Sequence, residues 1–399
     1  MEDRWLVFIG AGRQQIPSLL AAKKENIKIL ALDGDSAAPG FAIADKSTVV
    51  DISKPTEVLQ KIKEFLIKPI GAQSFISEVG MRSAALVCDY YKLPGINLKN
   101  IEGLTNKSEQ RRIWTEKGSP CPKWKVVSSL EEAFAAIEII GYPAIIKPTE
   151  SAGSRAVTRI DSLDDFEKYV AHALANSRDG NAIIEEFIVG QEYSVESFWH
   201  HGKALILTIS ERKLINSVTA YEIRTAQLTV AQREIIENAV YKSLKDLDFN
   251  AGPAHTEIIL TADNRVFLVE TAGRGGGFMV CDGLVPLTTS FDITRASVMA
   301  AVGEHVDLSM PLQKNFSILH YLPAQKGRLQ NLEGFNKANG ILGVIAGPLK
   351  LIGDVCQSVL EDNDRVGYIL ASAEDVEGAQ QKLEMAKSML SIEWDMRNV

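Results

Sequence analysis

Residues 254–278 read Ala-His-Thr-Glu-Ile-Ile-Leu-Thr-Ala-Asp-Asn-Arg-Val-Phe-Leu-Val-Glu-Thr-Ala-Gly-Arg-Gly-Gly-Gly-Phe, and the fold turns on them. The runs 258–260 and 266–269 are β-rich, and Ala262-Asp263-Asn264 supplies turn residues between them, so the stretch predicts a β-hairpin. Pairing about Asp263 sets Glu257 roughly opposite Glu270. Two carboxylates side by side repel unless a proton or a cation lies between them. A divalent cation is the common answer. Hard oxygen ligands suit Mg²⁺, which takes one or two protein carboxylates and leaves its other positions to water and phosphate oxygens. Arg274 follows the second strand and can face the same phosphates, with Gly273 and residues 275–277 letting backbone come close. Taken alone, the stretch reads first as an exposed hairpin with solvated acids, and it is the rest of the chain that favours the cation.

The chain has 399 residues, more than one ordinary core, so two or three domains are expected. A net charge of −8 and a pI of about 5.5 oppose nucleic acid as a partner. No apolar run approaches the ~20 residues of a membrane span, and the first residues lead directly into a strand without a signal peptide's charged and apolar regions. Cys88, Cys121, Cys281 and Cys356 are scattered, which fits free thiols in a reducing cytoplasm and no zinc site.

Residues 5–95 alternate strand-like segments (5–9, 27–32, 74–77) with helix-like ones (14–24, 56–67, 81–91), the pattern of a parallel sheet covered by helices. Gly10-Ala11-Gly12, with Asp33 downstream, invites a dinucleotide reading. The third glycine of that fingerprint falls on Gln15, so this reading is set aside.

Beyond Leu104 the pattern changes. Lys107 precedes a polar helix at 108–117, followed by a strand at 124–127 and a helix at 130–140. Residues 144–147 form a strand ending in Lys147, and the small residues 151–154 with Arg155 make a loop that suits anionic oxygens or, equally, a plain hairpin turn. A helix at 163–175 leads to Glu185-Glu186-Phe187-Ile188-Val189-Gly190-Gln191-Glu192, a buried strand, an apolar hinge and a second strand. Backbone at such a hinge can bond an adenine edge while Glu192 accepts from ribose hydroxyls. A strand at 203–210 and an amphipathic helix at 228–247 complete the approach to the hairpin.

Taken in order, Lys107, Lys147, the 153–155 loop, the 186–192 hinge and the Glu257/Glu270/Arg274 hairpin resemble the ATP-grasp superfamily. The likeness is to carboxylate–amine ligases near biotin carboxylase, the carbamoyl-phosphate synthetase ATP-binding domain and the L-amino acid ligases. It implies an α/β protein: a Rossmann-like pre-ATP-grasp domain at 1–103, two α+β ATP-grasp subdomains at 104–305 with a lid at about 120–190, and a small α+β domain at 306–399. It implies ATP with Mg²⁺, or Mn²⁺ in its place, and a homodimer.

Role by role, the resemblance puts Lys107 and Lys147 on the α- and β-phosphates, Lys147 also near adenine, and Gly153, Ser154 and Arg155 over the β- and γ-phosphates. Glu186, Phe187 and Ile188 would hold adenine, Glu192 the ribose, and Glu257 and Glu270 the metal. Arg274 would stabilise the transferred phosphoryl group. Two positions depart from the family: Ala272 stands where many members have a metal-binding Asn, which leaves one or two Mg²⁺ open, and Ala156 stands where glycine is common.

The implied chemistry is activation of a carboxylate as an acyl phosphate and its capture by an amine, with release of ADP and phosphate. Arg212 and Arg224 are candidates to receive a substrate carboxylate, and His255 a candidate base; surface and packing roles are equally open to all three. The competing readings are a bicarbonate-activating carboxylase of the biotin carboxylase or purine-synthesis kind, and a non-catalytic ATP-binding module.

Overall fold

The computed structural model describes residues 3–150, 155–215, 219–309, 314–357 and 364–396. Trp5–Ile9, Lys28–Asp33, Lys46–Val49 and Pro69–Gln73 form a parallel sheet in the order third, second, first, fourth. The first strand is buried throughout, so both sheet faces need cover, and helices Ile16–Lys24, Pro55–Glu64 and Met81–Tyr91 supply most of it. The fourth strand lies at Pro69–Gln73, and the expected strand at 74–77 is instead the loop leaving its C-terminal end. Pro-Ile-Gly-Ala-Gln has weak β propensity, but a small residue is required there. A Cβ on Gly71 would stand 2.3 Å from the Ala301 carbonyl oxygen, so backbone packs directly on backbone. Asp33 accepts from the Ala11 amide at 2.7 Å and closes the first loop on itself.

Residues 124–186 build an antiparallel sheet ordered Trp124–Val127, Ala182–Glu186, Ala144–Pro148, Thr158–Ile160. Helices Leu130–Ile140 and Phe166–Ala175 pack on it through Val127, Ile137, Ile146, Phe166 and Ile184. This small unit has its own core.

The largest sheet has eight antiparallel strands: Val266–Ala272, Gly252–Leu260, Gln191–His200, Lys203–Leu214, Ala220–Thr225, Phe316–Pro323, Arg365–Ala373 and Val344–Pro348. The expected boundary at 306 does not interrupt it. Ile223 pairs with Leu319, so the C-terminal region extends this sheet and covers an edge that would otherwise expose unpaired backbone. Helix Val230–Asp246, opened by a Thr229/Gln232 capping box, packs with Trp114 of helix Lys107–Lys117 under the same sheet. Among the described residues, no helix is long and apolar enough to cross a membrane.

Gly71→Ala tests the docking of the parallel sheet on helix Ile293–Ala301. Overpacking against a fixed carbonyl should lower unfolding free energy by about 1–3 kcal/mol in urea titration. An unchanged midpoint would mean the two backbones are not in contact.

Candidate active site

The hairpin forms with Glu257 directly paired to Glu270, and the register shifts immediately afterwards, between Glu257 and Ile258. Its turn is closed by the Thr261 amide donating to the Arg265 carbonyl at 2.9 Å, with Asn264 at φ +61. Protein cations lie against both carboxylates. Lys107 Nζ is 2.9 Å from Glu270 Oε1, and Arg212 Nη1 is 2.8 Å from both Glu257 Oε1 and Glu192 Oε1. Burial alone would depress the Lys107 ammonium, but Glu270, Glu78 and Glu257 override it and hold it above its usual range. Burial alone would raise the Glu257 carboxyl, but Arg212 and His255 hold it well below the usual range. Glu192 goes the other way: burial and Glu257 push its carboxyl up against the pull of Arg212.

Lys107 owes its place to local chemistry. The Asn106 side chain caps helix Lys107–Lys117 by accepting from the Ser108 and Glu109 amides, and Gly118 at φ +69 ends it. The Lys107 amide donates to the Thr149 carbonyl at 2.9 Å, which ties the start of the helix to the end of the strand Ala144–Pro148. One turn later on the same face, Arg111 is fully buried. Its Nε donates to Glu185 Oε1 at 2.5 Å and its Nη2 to the Val269 carbonyl at 2.6 Å. Glu185 Oε2 holds Lys147 Nζ at 2.6 Å. Glu185 therefore holds Arg111 and Lys147 together. Burial opposes its charge, but Arg111 and Lys147 hold its carboxyl at about 2. Burial, with Arg111 and Lys107 nearby, depresses the Lys147 ammonium against the pull of Glu185.

Arg274 is buried, with Nη2 3.1 Å from Glu78 Oε2 and Nη1 donating to the Gly275 carbonyl at 3.0 Å. Glu78 comes from the loop after the fourth parallel strand, so the first domain contributes directly. Lys107, Lys147, Arg155, Arg212, Arg274, Glu192, Glu257 and Glu270 share the wall of one cleft of ≈ 500 Å³. Glu186, Phe187 and Ile188 line it too, with the Glu186 and Phe187 amides bonded to the Lys123 and Pro143 carbonyls. Gly153 and Ser154 lie outside the described residues, while Arg155 is exposed at the cleft and Ala156 sits at φ +54, the region glycine enters without cost.

Two candidates need correction. Arg224 does not line the cleft: its neighbour Ile223 does, and strand alternation turns Arg224 the other way, where its Nε donates to Glu222 at 2.8 Å. His255 lines the cleft but is a poor base. Burial opposes its charge, yet Glu196 and Glu257 raise it to about 9, so it is protonated at neutral pH. Its Nδ1 bonds Glu196, which also accepts from the Gly276 amide at 3.0 Å and so braces the glycine run beyond Arg274. Arg212, expected to await a substrate carboxylate, bridges Glu192 and Glu257 instead. Glu78, Arg111 and Arg365 also belong to the site or its support, and the sequence does not mark them as such; only Arg111 leaves a trace, four residues after Lys107 on one helix face.

Glu257 and Glu270 fit a hard dication. They are paired oxygen donors on the cleft wall, already matched to positive charge, and among the described residues no cluster of three or more His, Cys, Asp or Glu offers a fuller cage. Ala272, opposite His255, adds no donor.

Known proteins match in the same regions. Residues 140–282 match the ATP-grasp domain, and residues 320–395 match the L-amino acid ligase C-terminal domain 2. The chain thus carries an ATP-grasp domain, and its homologues are ATP-grasp ligases. The formate-dependent phosphoribosylglycinamide formyltransferase of Saccharolobus solfataricus is 24% identical over 406 residues, spanning 97% of this chain and 96% of that protein. The fold is shared with an L-amino acid ligase from Bacillus licheniformis (TM-score 0.85, 19% identity, 99% of this chain and 100% of that one). It is also shared with the biotin carboxylase domain of Hydrogenobacter thermophilus 2-oxoglutarate carboxylase, solved with MgADP and bicarbonate (TM-score 0.79, 16% identity, 99% and 91%).

Arg111→Met should cost about 3–5 kcal/mol of stability in urea titration, because Glu185 and Lys147 lose a buried partner. A loss under about 1 kcal/mol would show the cluster to be solvated. pH gives a second test. Glu185, depressed from 4.5 to about 2, contributes stability that is present above pH 4.5 and is lost as pH falls toward 2. The stability gap between the wild type and Glu185→Gln should therefore narrow over that interval; a constant gap would contradict the assignment.

Proposed function

We propose that this chain is an ATP-dependent ligase that activates a small carboxylate, an amino acid or related metabolite, as an acyl phosphate and couples it to an amine, releasing ADP and phosphate. The observation that carries the reading is the convergence of Lys107, Lys147 and Arg274 with the Glu257/Glu270 pair on one cleft between lid and core. Phosphoryl transfer asks little covalent chemistry of a protein. It asks for positioning and for positive charge where negative charge develops.

Each residue has a task in this scheme. Lys147, its head fixed by Glu185, approaches the nucleotide from the lid, and Lys107 approaches from the core. Glu186, Phe187 and Ile188 form the wall for adenine. Glu257 and Glu270 would hold Mg²⁺, which supplies charge neutralisation at the phosphates. Arg274 steadies the γ-phosphoryl group as a substrate carboxylate oxygen attacks it and the bond to ADP breaks. The same guanidinium then faces the acyl phosphate while the amine attacks the acyl carbon and phosphate departs with the bonding electrons. Lid closure keeps water from the acyl phosphate, which would otherwise hydrolyse. The protonated His255 takes no proton; it holds Glu196 and, through it, the Gly276 backbone.

The test is ADP release by purified protein with MgATP against single and paired L-amino acids, carboxylates with amines, and bicarbonate. Release should require a carboxylate together with an amine, and Glu270→Gln should lower the rate by about 100-fold or more. Release with bicarbonate alone would move the chain to the carboxylases. ATP binding without turnover on any mixture would favour a binding module.

A further inference from the structure

Histidine is scarce in this chain, six in all, yet His200, His201 and His305 gather at one place on the surface. His200 ends the strand Gln191–His200, and His201 follows it in the turn to Lys203–Leu214. His305 comes from a distant stretch, beyond helix Ile293–Ala301. The His200 ring centre lies 4.1 Å from that of His201 and 6.2 Å from that of His305. None of the three lines the cleft.

A buried histidine ordinarily spends both ring nitrogens on hydrogen bonds. His200 is 6% exposed and bonds the Glu304 backbone carbonyl, but its Nε2 is buried with no partner among the described residues. A carbonyl only accepts, so the proton sits on Nδ1 and Nε2 keeps its lone pair. Burial, with His201 and His305 close by, depresses the ring below its usual range against the pull of that carbonyl, which favours the neutral form. Packing alone does not account for the group, since an unpaired buried nitrogen costs free energy that an apolar side chain there would not. A neutral imidazole steadied through one nitrogen by a carbonyl, with the other bare, is the form in which histidine ligates metals.

The spacing agrees. Imidazole nitrogens at about 2.0–2.1 Å from a tetrahedral cation put ring centres about 5 Å apart. The observed 4.1 and 6.2 Å fall on either side of that value. Among the described residues no three such ligands already converge on one point. His201 and His305 are exposed, however, and exposed side chains change rotamer readily, so an arriving ion can draw them in.

We infer that His200, His201 and His305 form a site for a first-row dication that favours imidazole, such as Zn²⁺, Ni²⁺ or Cu²⁺, separate from the Glu257/Glu270 pair. Hard Mg²⁺ prefers the carboxylates, so the two sites sort their ions by ligand chemistry. An ion at the histidines ties the turn after Gln191–His200 to the segment between Ile293–Ala301 and Phe316–Pro323. The inference does not depend on the ligase reading, because the ion binds without nucleotide.

The experiment titrates the full chain, stripped of metal with EDTA and returned to excess MgCl₂ without chelator, with ZnCl₂ by calorimetry. One Zn²⁺ per chain should bind. His201→Gln and His305→Gln, both at exposed positions, should each weaken it by about 10-fold or more, and His200→Gln further still. His172→Gln, exposed on another helix, should leave it unchanged. Cu²⁺ gives a second readout: nitrogen hyperfine splitting in its EPR spectrum should diminish in the same variants. Binding that survives both exposed substitutions, unsaturable uptake that marks an adventitious ion only, or no binding by the wild type would each overturn the inference. Unfolding midpoints of the metal-free variants, measured alongside, tell a lost ligand from a lost fold.

Discussion

Two carboxylates forced side by side on neighbouring strands are the constraint from which the rest of the site follows. Backbone pairing, not choice of rotamer, sets Glu257 against Glu270, so their repulsion cannot be relieved by moving either side chain far. Positive charge has to be brought to them. Lys107 arrives on a capped helix from below, Arg212 on a strand from the side, and a dication with bound phosphates would add to or displace part of that charge. An array of cations drawn together by a fixed pair of anions is also a place where a highly charged nucleotide can bind.

The second organising feature is the buried cluster of Arg111, Glu185 and Lys147, which joins helix Lys107–Lys117 to the four-stranded antiparallel sheet. Its members stand on three different elements: the helix Lys107–Lys117 and the strands Ala144–Pro148 and Ala182–Glu186. Arg111 also reaches the Val269 carbonyl, one residue before Glu270. Lys147 is thereby registered to the strand that carries Glu270 through a few hydrogen bonds. Such buried ion clusters contribute little net stability compared with apolar packing, but breaking one is costly, which suits a joint that must keep its geometry.

The parts of the fold legible in the sequence are those written locally. The hairpin with its facing glutamates follows from two β-rich runs around Asp263, and the lid elements follow from short apolar strands separated by periodic helices. Lys107 and Lys147 are placed by their order along the chain, and both reach the cleft. What stays hidden is what depends on distant packing. The strand Pro69–Gln73 carries a glycine at 71 because the Ala301 carbonyl leaves no room there for a Cβ. Arg224 fails as a candidate by one step of strand alternation, and His255 because its Glu196 partner lies 59 residues away. Arg365 is beyond reach, since the joining of the C-terminal strands to the large sheet carries no local signature.

Isotope transfer is the most direct test of acyl-phosphate formation in this cleft. With a substrate carboxylate labelled in both oxygens with ¹⁸O, coupling through an acyl phosphate moves one labelled oxygen into the phosphate released. Mass spectrometry of that phosphate should find one ¹⁸O for each amide bond formed. Unlabelled phosphate formed in step with product would show that the carboxylate never attacks the γ-phosphoryl group, and would contradict the proposed role of the Glu257/Glu270 cleft in carboxylate activation.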